Sequence, residues 1–402
     1  MLSTDLLLPF LGLATLTSAA TIHVASYAGP ITSFNFTRKD SKTFSLDKIG
    51  SDNSCGPNAT WLDLDNVNKN LFCLDEGISL PNGSVNSFQI QAGGTLKHIA
   101  RQSTLAAPAQ SIGWTSPQDS GKQFLAVAQY SGGLTTWHVD PSTAEFSRLQ
   151  TFQYKLLRPG ANPRRQDTAH PHQATVDPSG KYLVVPDLGA DLLRVYYIDP
   201  ASGTLQERVS FPIEPGAGPR HGTWLQLHGC TYYYLVTELK AQLLPFKVDY
   251  ADENQGLSFT LLKTGLLTYG DTFNETLSSV VYPGEVLLSK DNKHLYASNR
   301  RDAQRTYTAP NGTVLPSDTI AHYTLSEDGV PTFAEITTAG GSYVRSFALS
   351  PDGKFAAVPL QRSGTFKVFA VDKKSGKIGE DALVVAEGLG NVTSVVWADS
   401  TV

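Results

Sequence analysis

Basic charge is not in overall excess in this chain of 402 residues: 32 Lys and Arg stand against 37 Asp and Glu, a net charge of -5. A general nucleic-acid binder needs a cationic footprint, so that class is set aside. Long amphipathic helical patterns are missing, and beyond the N-terminus no apolar run is long enough to cross a bilayer. No Cys/His spacing suits zinc, and no Gly-rich loop follows a strand to open a helix, so neither a zinc site nor a phosphate loop is expected. Charged residues make up only 17%, whereas 41% are hydrophobic, which supplies a substantial core and excludes global disorder. What the chain has in quantity is Gly (34) and Pro (23), spread along its length as many short strands and turns require.

The length admits two or three ordinary domains or one large repeat architecture. The stretch His170 to Asp199 decides between them. It reads as three short strands, Gln173–Val176, Tyr182–Val185 and Leu193–Ile198, the first two joined by the turn Asp177-Pro178-Ser179-Gly180. Pro presets φ in such a turn, and Gly accepts the positive φ that closes it. The pattern returns from Arg345 through Ser350-Pro351-Asp352-Gly353 to Phe355, and more weakly from Glu285 through Ser289-Lys290-Asp291-Asn292-Lys293. A repeated β unit follows.

Two independent counts give the number of units. An outer-strand signature, aromatic-any-apolar, occurs at Phe34, Phe88, Trp137, Tyr196, Phe246, Tyr323 and Phe369. First strands are expected at Thr60–Leu64, Ser111–Trp114, Gln173–Val176, Gly222–Leu225, Glu285–Leu288, Ser346–Leu349 and Thr393–Trp397. Both counts are seven, and the last first strand lies at the C-terminus while its aromatic partner lies near the N-terminus. The expected fold is therefore an all-β, seven-bladed β-propeller in one domain, closed by terminal strands that share a blade and leave no open seam. Insertions between Gln150 and Thr168, Asp249 and Tyr282, and Arg301 and Ser317 should reach the rim of one face or the other.

The N-terminus reads as a signal peptide over residues 1–20, with an apolar core Leu6–Leu16 and small residues Ser18-Ala19-Ala20 before Thr21, although the preceding segment carries Asp5 and no Lys or Arg. Residues 21–402 would form the domain. Six N-glycosylation sequons, at Asn35, Asn58, Asn82, Asn274, Asn311 and Asn391, agree with export; five are expected at or beside turns and loops, and Asn391 just before the last strand. An exported protein would pair Cys55 with Cys73, leaving Cys230 as a buried small hydrophobe.

The starts of the first strands should face the central channel. In four successive units they read His170-Pro171-His172, Gly218-Pro219-Arg220-His221, Pro283-Gly284-Glu285 and Val344-Arg345-Ser346. Glu238 and Arg300 end second strands on the same side. Equivalent positions in a repeat usually hold interchangeable small or apolar residues, so converging ionisable groups mark a site. Guanidinium groups bind carboxylates bidentately, and His moves protons near neutral pH. The bland alternatives are ion pairs of Arg220 with Glu238 and of Arg300 with Glu285, a turn role for His170, and a solvated loop charge for Arg164-Arg165. Asn299, Glu285 and Asp187 offer oxygen ligands for calcium, but an Arg-rich mouth repels a dication, so no metal and no cofactor is expected.

The motifs HPHQATVDPSGKYL, GAGPRHGTW, VTEL, GEVLLSKDNKHLYASNR and VRSFALSPDGKF resemble the lactonase family of seven-bladed propellers, which includes 6-phosphogluconolactonases and fungal 3-carboxy-cis,cis-muconate cyclases. The resemblance spans nearly the whole chain after the N-terminal segment. It implies catalytic roles for His172 and Glu238, substrate binding by Arg220 and Arg300, and supporting positions for Glu285 and Arg345. His172 would be the acid/base, and Glu238 would orient an Arg or assist proton transfer. The expected partner is a small carboxylated lactone or muconate-like substrate, with no nucleic acid and no membrane span. A secreted lactonase or lactonising enzyme is the leading reading. A secreted or cell-wall-associated glycoprotein acting as an adhesin on the same fold, and a 6-phosphogluconolactonase-like hydrolase, are the alternatives.

Overall fold

The computed structural model describes residues 19–398 apart from 120, 252–254 and 310, so most of the expected signal peptide lies outside the described residues; Ala19 and Ala20 open the strand Ala19–Ser26. Seven antiparallel sheets surround a central channel. Six have four strands, and in the third blade the outer strand is broken into Leu205–Glu207 and Phe211–Pro212. Blade 1 runs outward from the channel as Ala59–Asp65, Asn70–Asp75, Ser84–Ile90 and Leu96–Ser103. Blade 7 takes its innermost strand, Val392–Trp397, from the C-terminus and pairs it with Ala19–Ser26, Val24 opposite Val395. The ring is thus a closed seven-bladed β-propeller.

Seven of the apolar clusters among the described residues each straddle two neighbouring blades, and the seventh joins blade 7 to blade 1. The seven signature aromatics belong to these interfaces and are buried. They occupy the third strand of each blade, not the outermost one expected from the pattern. The third strand is covered on both faces by its neighbours, whereas the fourth, such as Leu96–Ser103, lies half open to solvent and tolerates Lys and Arg. Each buried aromatic contributes roughly 1.5–3 kcal/mol, so the ring is held mainly between blades.

The turns follow the repeat. Gly180 and Gly353 both have φ of +71°, and each N–H donates to the carbonyl three residues back, at 2.9 and 2.8 Å. In the weaker copy Asn292 takes the same left-handed conformation, φ +61°, as Asn can. Of the insertions, Arg301–Ser317 includes the hairpin Arg305–Thr308 and Val314–Ser317, and Asp249–Tyr282 includes the helix Glu275–Val280, capped by the Asn274 side chain on Leu277 N. No helix among the described residues is long and apolar enough to cross a membrane.

Cys55 and Cys73 are joined, tying the loop ahead of blade 1 to its second strand. Closing that loop contributes ~3 kcal/mol in the chain-entropy model. Cys230 starts a strand and is only half buried, because it sits at the turn end and not within the apolar run. Asn82, Asn274, Asn311 and Asn391 are exposed, and Asn58 is half buried in a turn. Asn35 lies within the strand Ile31–Arg38 and half buried, not beside a turn: its neighbours Phe34 and Phe36 belong to the core.

Candidate active site

Two positions of the repeat build the site. Residues at or just ahead of the starts of the first strands point into one mouth of the channel, and residues just after the second strands stand beside them. The first position supplies His172, Arg220 and Arg345; the second supplies Glu76, Tyr130, Glu238 and Arg300. Together with Arg165, Tyr282, Arg301 and Tyr343 they line a cavity of about 410 Å³. All three insertions reach this same face, through Arg165, Tyr282 and Arg301.

Local backbone features aim the side chains. The Asp187 carboxylate accepts the His170 N–H at 2.7 Å, and His172 N–H donates to Pro186 O at 3.0 Å, which pins the His-Pro-His segment to the second strand. In blade 4 the pairing shifts register between Pro219 and His221. A bulge breaks the strict alternation of side chains, so consecutive Arg220 and His221 both serve the channel. Tyr343 and Arg301 hold left-handed φ of 72° and 69°, an unfavourable conformation for such residues that the surrounding loops impose.

Glu238 is the hub of the charge network. Its Oε2 accepts from Arg220 Nε at 2.9 Å and Arg300 Nη2 at 2.7 Å, and its Oε1 accepts from Arg165 Nη2. Across the mouth Arg345 donates to the Tyr27 hydroxyl, which also bonds Glu76. Arg165 and Arg301 lie 5.5 and 5.1 Å from the Tyr282 ring centre, and Arg300 and Arg362 lie 5.3 and 4.4 Å from that of Tyr343. Five arginines thus face one cavity with two carboxylates, in a protein of net negative charge. Arg220 Nη2 and Arg300 Nη1 make no hydrogen bond among the described residues, which leaves donors for an incoming anion. Behind the cavity, His172 Nδ1 lies 3.0 Å from His221 Nε2, and His221 Nδ1 lies 2.9 Å from Glu285 Oε1.

Burial, followed by Arg220, His221, Arg345 and Arg300, holds His172 well below the usual histidine range, so it is neutral at pH 7. Burial also lowers His221, against the pull of Glu285. For Glu238 burial works upward, but Arg300, Arg220 and Arg165 outweigh it and keep the carboxyl far below its ordinary value. Burial and Arg300 draw Arg220 down to about 9, still a cation at neutral pH.

His172, Arg220, Glu238 and Arg300, the four residues singled out from sequence, meet at one cavity. Arg345 lines it directly, and Glu285 lies behind His221. Arg300 pairs with Glu238 and not with Glu285, because its guanidinium is also held by Tyr282 O and Pro283 O on the mouth side. Arg165 is no solvated loop charge: it reaches Glu238 and the Tyr130 hydroxyl. His170 has the bland role, bonding Tyr130 O and Asp167 and stacking 4.1 Å from the Tyr130 ring. Of the residues offered for calcium, Asp187 binds Arg194 and backbone amides, Asn299 binds Thr268 O and Thr319, and Glu285 binds His221. Glu76, Tyr130, Tyr27 and the pairing of His221 were missed. A signal existed for three of them: Tyr27, Glu76 and Tyr130 each follow a second strand, as Glu238 and Arg300 do.

Residues 19–394 match the family model described as Lactonase, 7-bladed beta-propeller. The chain is 30% identical over 362 residues to a protein of Arthroderma benhamiae named "Probable 6-phosphogluconolactonase", covering 89% of this chain and 84% of that one. It is 26% identical over 331 residues to a 6-phosphogluconolactonase of Formosa agariphila, covering 80% and 83%. Among solved structures, the periplasmic gluconolactonase PpgL of Pseudomonas aeruginosa superposes with a TM-score of 0.74 at 25% identity, over 94% of this chain and 99% of that one. The chain belongs to the lactonase family of seven-bladed β-propellers.

Proposed function

We propose that this protein is an exported lactone hydrolase that opens the ring of a small anionic lactone. The observation that carries the reading is the meeting of a neutral, buried histidine with five arginines in one cavity. His172 takes a proton from water as the water attacks the lactone carbonyl, and returns it to the leaving alkoxide. The free guanidinium donors of Arg220 and Arg300 stabilise the tetrahedral oxyanion or hold a second anionic group of the substrate. Glu238 has its acceptor sites filled by three arginines and stays ionised, so it orients them and carries no proton. A carboxylate or phosphate on the substrate suits the remaining cationic wall of Arg165, Arg301 and Arg345. Relatives named for 6-phosphogluconolactone support the hydrolytic direction. Ring closure of a carboxylated muconate, in which a substrate carboxylate oxygen adds across the conjugated C=C and the carbon gains a proton, is a different reaction that the same cavity suits; it is the second reading, favoured by the number of arginines.

Export is supported by the apolar N-terminal segment, the Cys55–Cys73 bond and four exposed sequons. Its check is a mass shift on enzymatic deglycosylation of the secreted protein. The test of function uses purified protein with 6-phosphoglucono-δ-lactone, glucono-δ-lactone and a carboxylated muconolactone, following acid release and identifying products. The expected result is faster opening of an anionic lactone than of its neutral analogue. A normally melting protein that opens none above the buffer rate overturns the reading in favour of a non-catalytic surface glycoprotein.

A further inference from the structure

We infer that His221 and Glu285 are positioning residues for His172: a closed carboxylate–imidazole–imidazole relay that fixes which nitrogen of His172 is basic. The inference rests on the proposed role of His172 as proton acceptor. The three side chains are buried, His221 and Glu285 to 1% and 3% exposure, and are joined by contacts of 3.0 and 2.9 Å. They span the channel axis, since His172 borders the site cavity while Glu285 borders a second cavity of about 500 Å³ at the other end.

The direction of every hydrogen bond follows from the ends. An ionised carboxylate only accepts, so His221 Nδ1 carries a proton and donates to Glu285 Oε1. A neutral imidazole has one donor and one acceptor, so His221 Nε2 must accept. Its partner, His172 Nδ1, must then donate. His172 Nε2 is left with its lone pair, and it makes no hydrogen bond among the described residues. That is the nitrogen available to the cavity. An isolated imidazole prefers the opposite tautomer, so the relay determines whether His172 can act as a base at all.

The scaffold holds this arrangement. Glu285 Oε1 also accepts Val286 N–H at 3.1 Å, and Glu285 N–H donates to Ser298 Oγ at 2.8 Å, which fixes the carboxylate. The Trp61 ring meets His221 edge-on with centres 5.7 Å apart. The charges facing His172 are Arg220, Arg300 and Arg345, with His221 behind it and Tyr130 at 5.8 Å. Those facing His221 are Glu285, Arg220 and Arg345. Glu285 is therefore the group that offsets the imidazolium formed when His172 takes up a proton amid three guanidiniums.

The test begins without a variant. In protein labelled with ¹⁵N-histidine, the His172 ring is assigned by its loss in His172→Gln, and its tautomer is read from nitrogen shifts. Protonation at Nδ1 is expected; protonation at Nε2 overturns the inference, whether or not a substrate is known. With a lactone turned over, Glu285→Gln keeps a hydrogen-bonding side chain but removes the charge. The kcat should fall by about 10²-fold or more, the order of effect when a base is held in the wrong tautomer, with KM little changed. The acidic limb of the kcat/KM profile should move to lower pH. His221→Gln retains an acceptor and a donor and should keep more activity than His221→Phe. If His172→Gln is inactive while Glu285→Gln keeps both rate and pH profile, the relay is wrong and the base assignment stands. If His172→Gln stays active, the base assignment fails, and the tautomer still decides the relay.

Discussion

The molecule holds two chains of histidine, histidine and glutamate, one on the channel axis and one at the edge of blade 5. On the axis, His172, His221 and Glu285 are joined by 3.0 and 2.9 Å contacts. At the edge, His294 Nδ1 lies 3.0 Å from His322 Nε2, but His322 Nδ1 stands 3.7 Å from Glu335, too far for a hydrogen bond. Both pairs are buried and both have lowered histidines. They differ at their ends. Glu285 is enclosed and its carboxylate is fixed, whereas the Glu335 side chain is 33% exposed and shared with Lys377 at 3.4 Å. His172 opens on a cavity of arginines, whereas His294 Nε2 is buried without a hydrogen-bond partner, against Gly376. Two neighbouring imidazoles make a chemical device only when one end is anchored and the other meets a ligand; otherwise they are packing.

Replacing the reactive ends should separate the two most sharply. His172→Gln is expected to lower kcat for any lactone turned over by ~10²–10⁴-fold. His294→Gln should leave kcat within about two-fold, because it touches no residue of the cavity. Equal losses in steady-state assays of both variants would mean that the axial pair is not special.

The carboxylates offer a second contrast, in stability. Glu238→Gln leaves Arg220, Arg300 and Arg165 buried around a neutral amide and should cost roughly 3–5 kcal/mol, as when one partner of a buried ion pair is removed. Glu335→Gln weakens only solvent-screened contacts and should cost less than about 1 kcal/mol. Urea unfolding of both variants checks this. A milder change, Arg220→Lys, keeps the charge but loses the planar fork, so KM should rise by about ten-fold while kcat changes less.

How much of this was legible in the sequence depends on periodicity. Seven aromatics and seven first strands repeat at equivalent places, so the ring and its terminal closure could be read without a template. Ionisable groups broke that repetition at His172, Arg220, Glu238, Glu285, Arg300 and Arg345, and the family resemblance picked His172, Arg220, Glu238 and Arg300 from among them. Arg165 did not, since it sits in an insertion with no period to register against, and only folding brings it to Glu238. His221 was hidden by alternation: following Arg220, it should face away from the channel, and the bulge at Pro219/His221 reverses that expectation. Glu76, Tyr130 and Tyr27 occupy the same repeat position as Glu238; the two tyrosines differ from it in chemistry, which conceals the equivalence, whereas Glu76 is the same residue type and its signal was there to be read. The edge pair was invisible because His294 and His322 meet only across neighbouring strands of one blade, His294 lying opposite Thr324 and His322 opposite Tyr296, two positions out of direct register.

The smallest expected effect lies in the pH dependence of stability, where the two pairs should behave alike and then part. His172, His221, His294 and His322 all titrate lower in the folded protein than an unfolded histidine, which titrates near 6.5. Between the two values the unfolded chain binds more protons, so acid favours unfolding. The stability these groups contribute is complete above pH ~6.5 and is lost as the pH falls toward their folded values. Each fully shifted group adds at most about 1.4 kcal/mol per pH unit to that slope. Removing one histidine from either pair, as in His322→Gln or His221→Gln, should flatten the fall of Tm between pH 7 and pH 5. Only the axial substitution should also move the acidic limb of kcat/KM. Thermal melts across that range, set beside the activity profile, would show whether proton uptake at the edge is purely a matter of folding. If His322→Gln moves the activity limb as well, the blade edge communicates with the channel, and the distinction between the pairs fails.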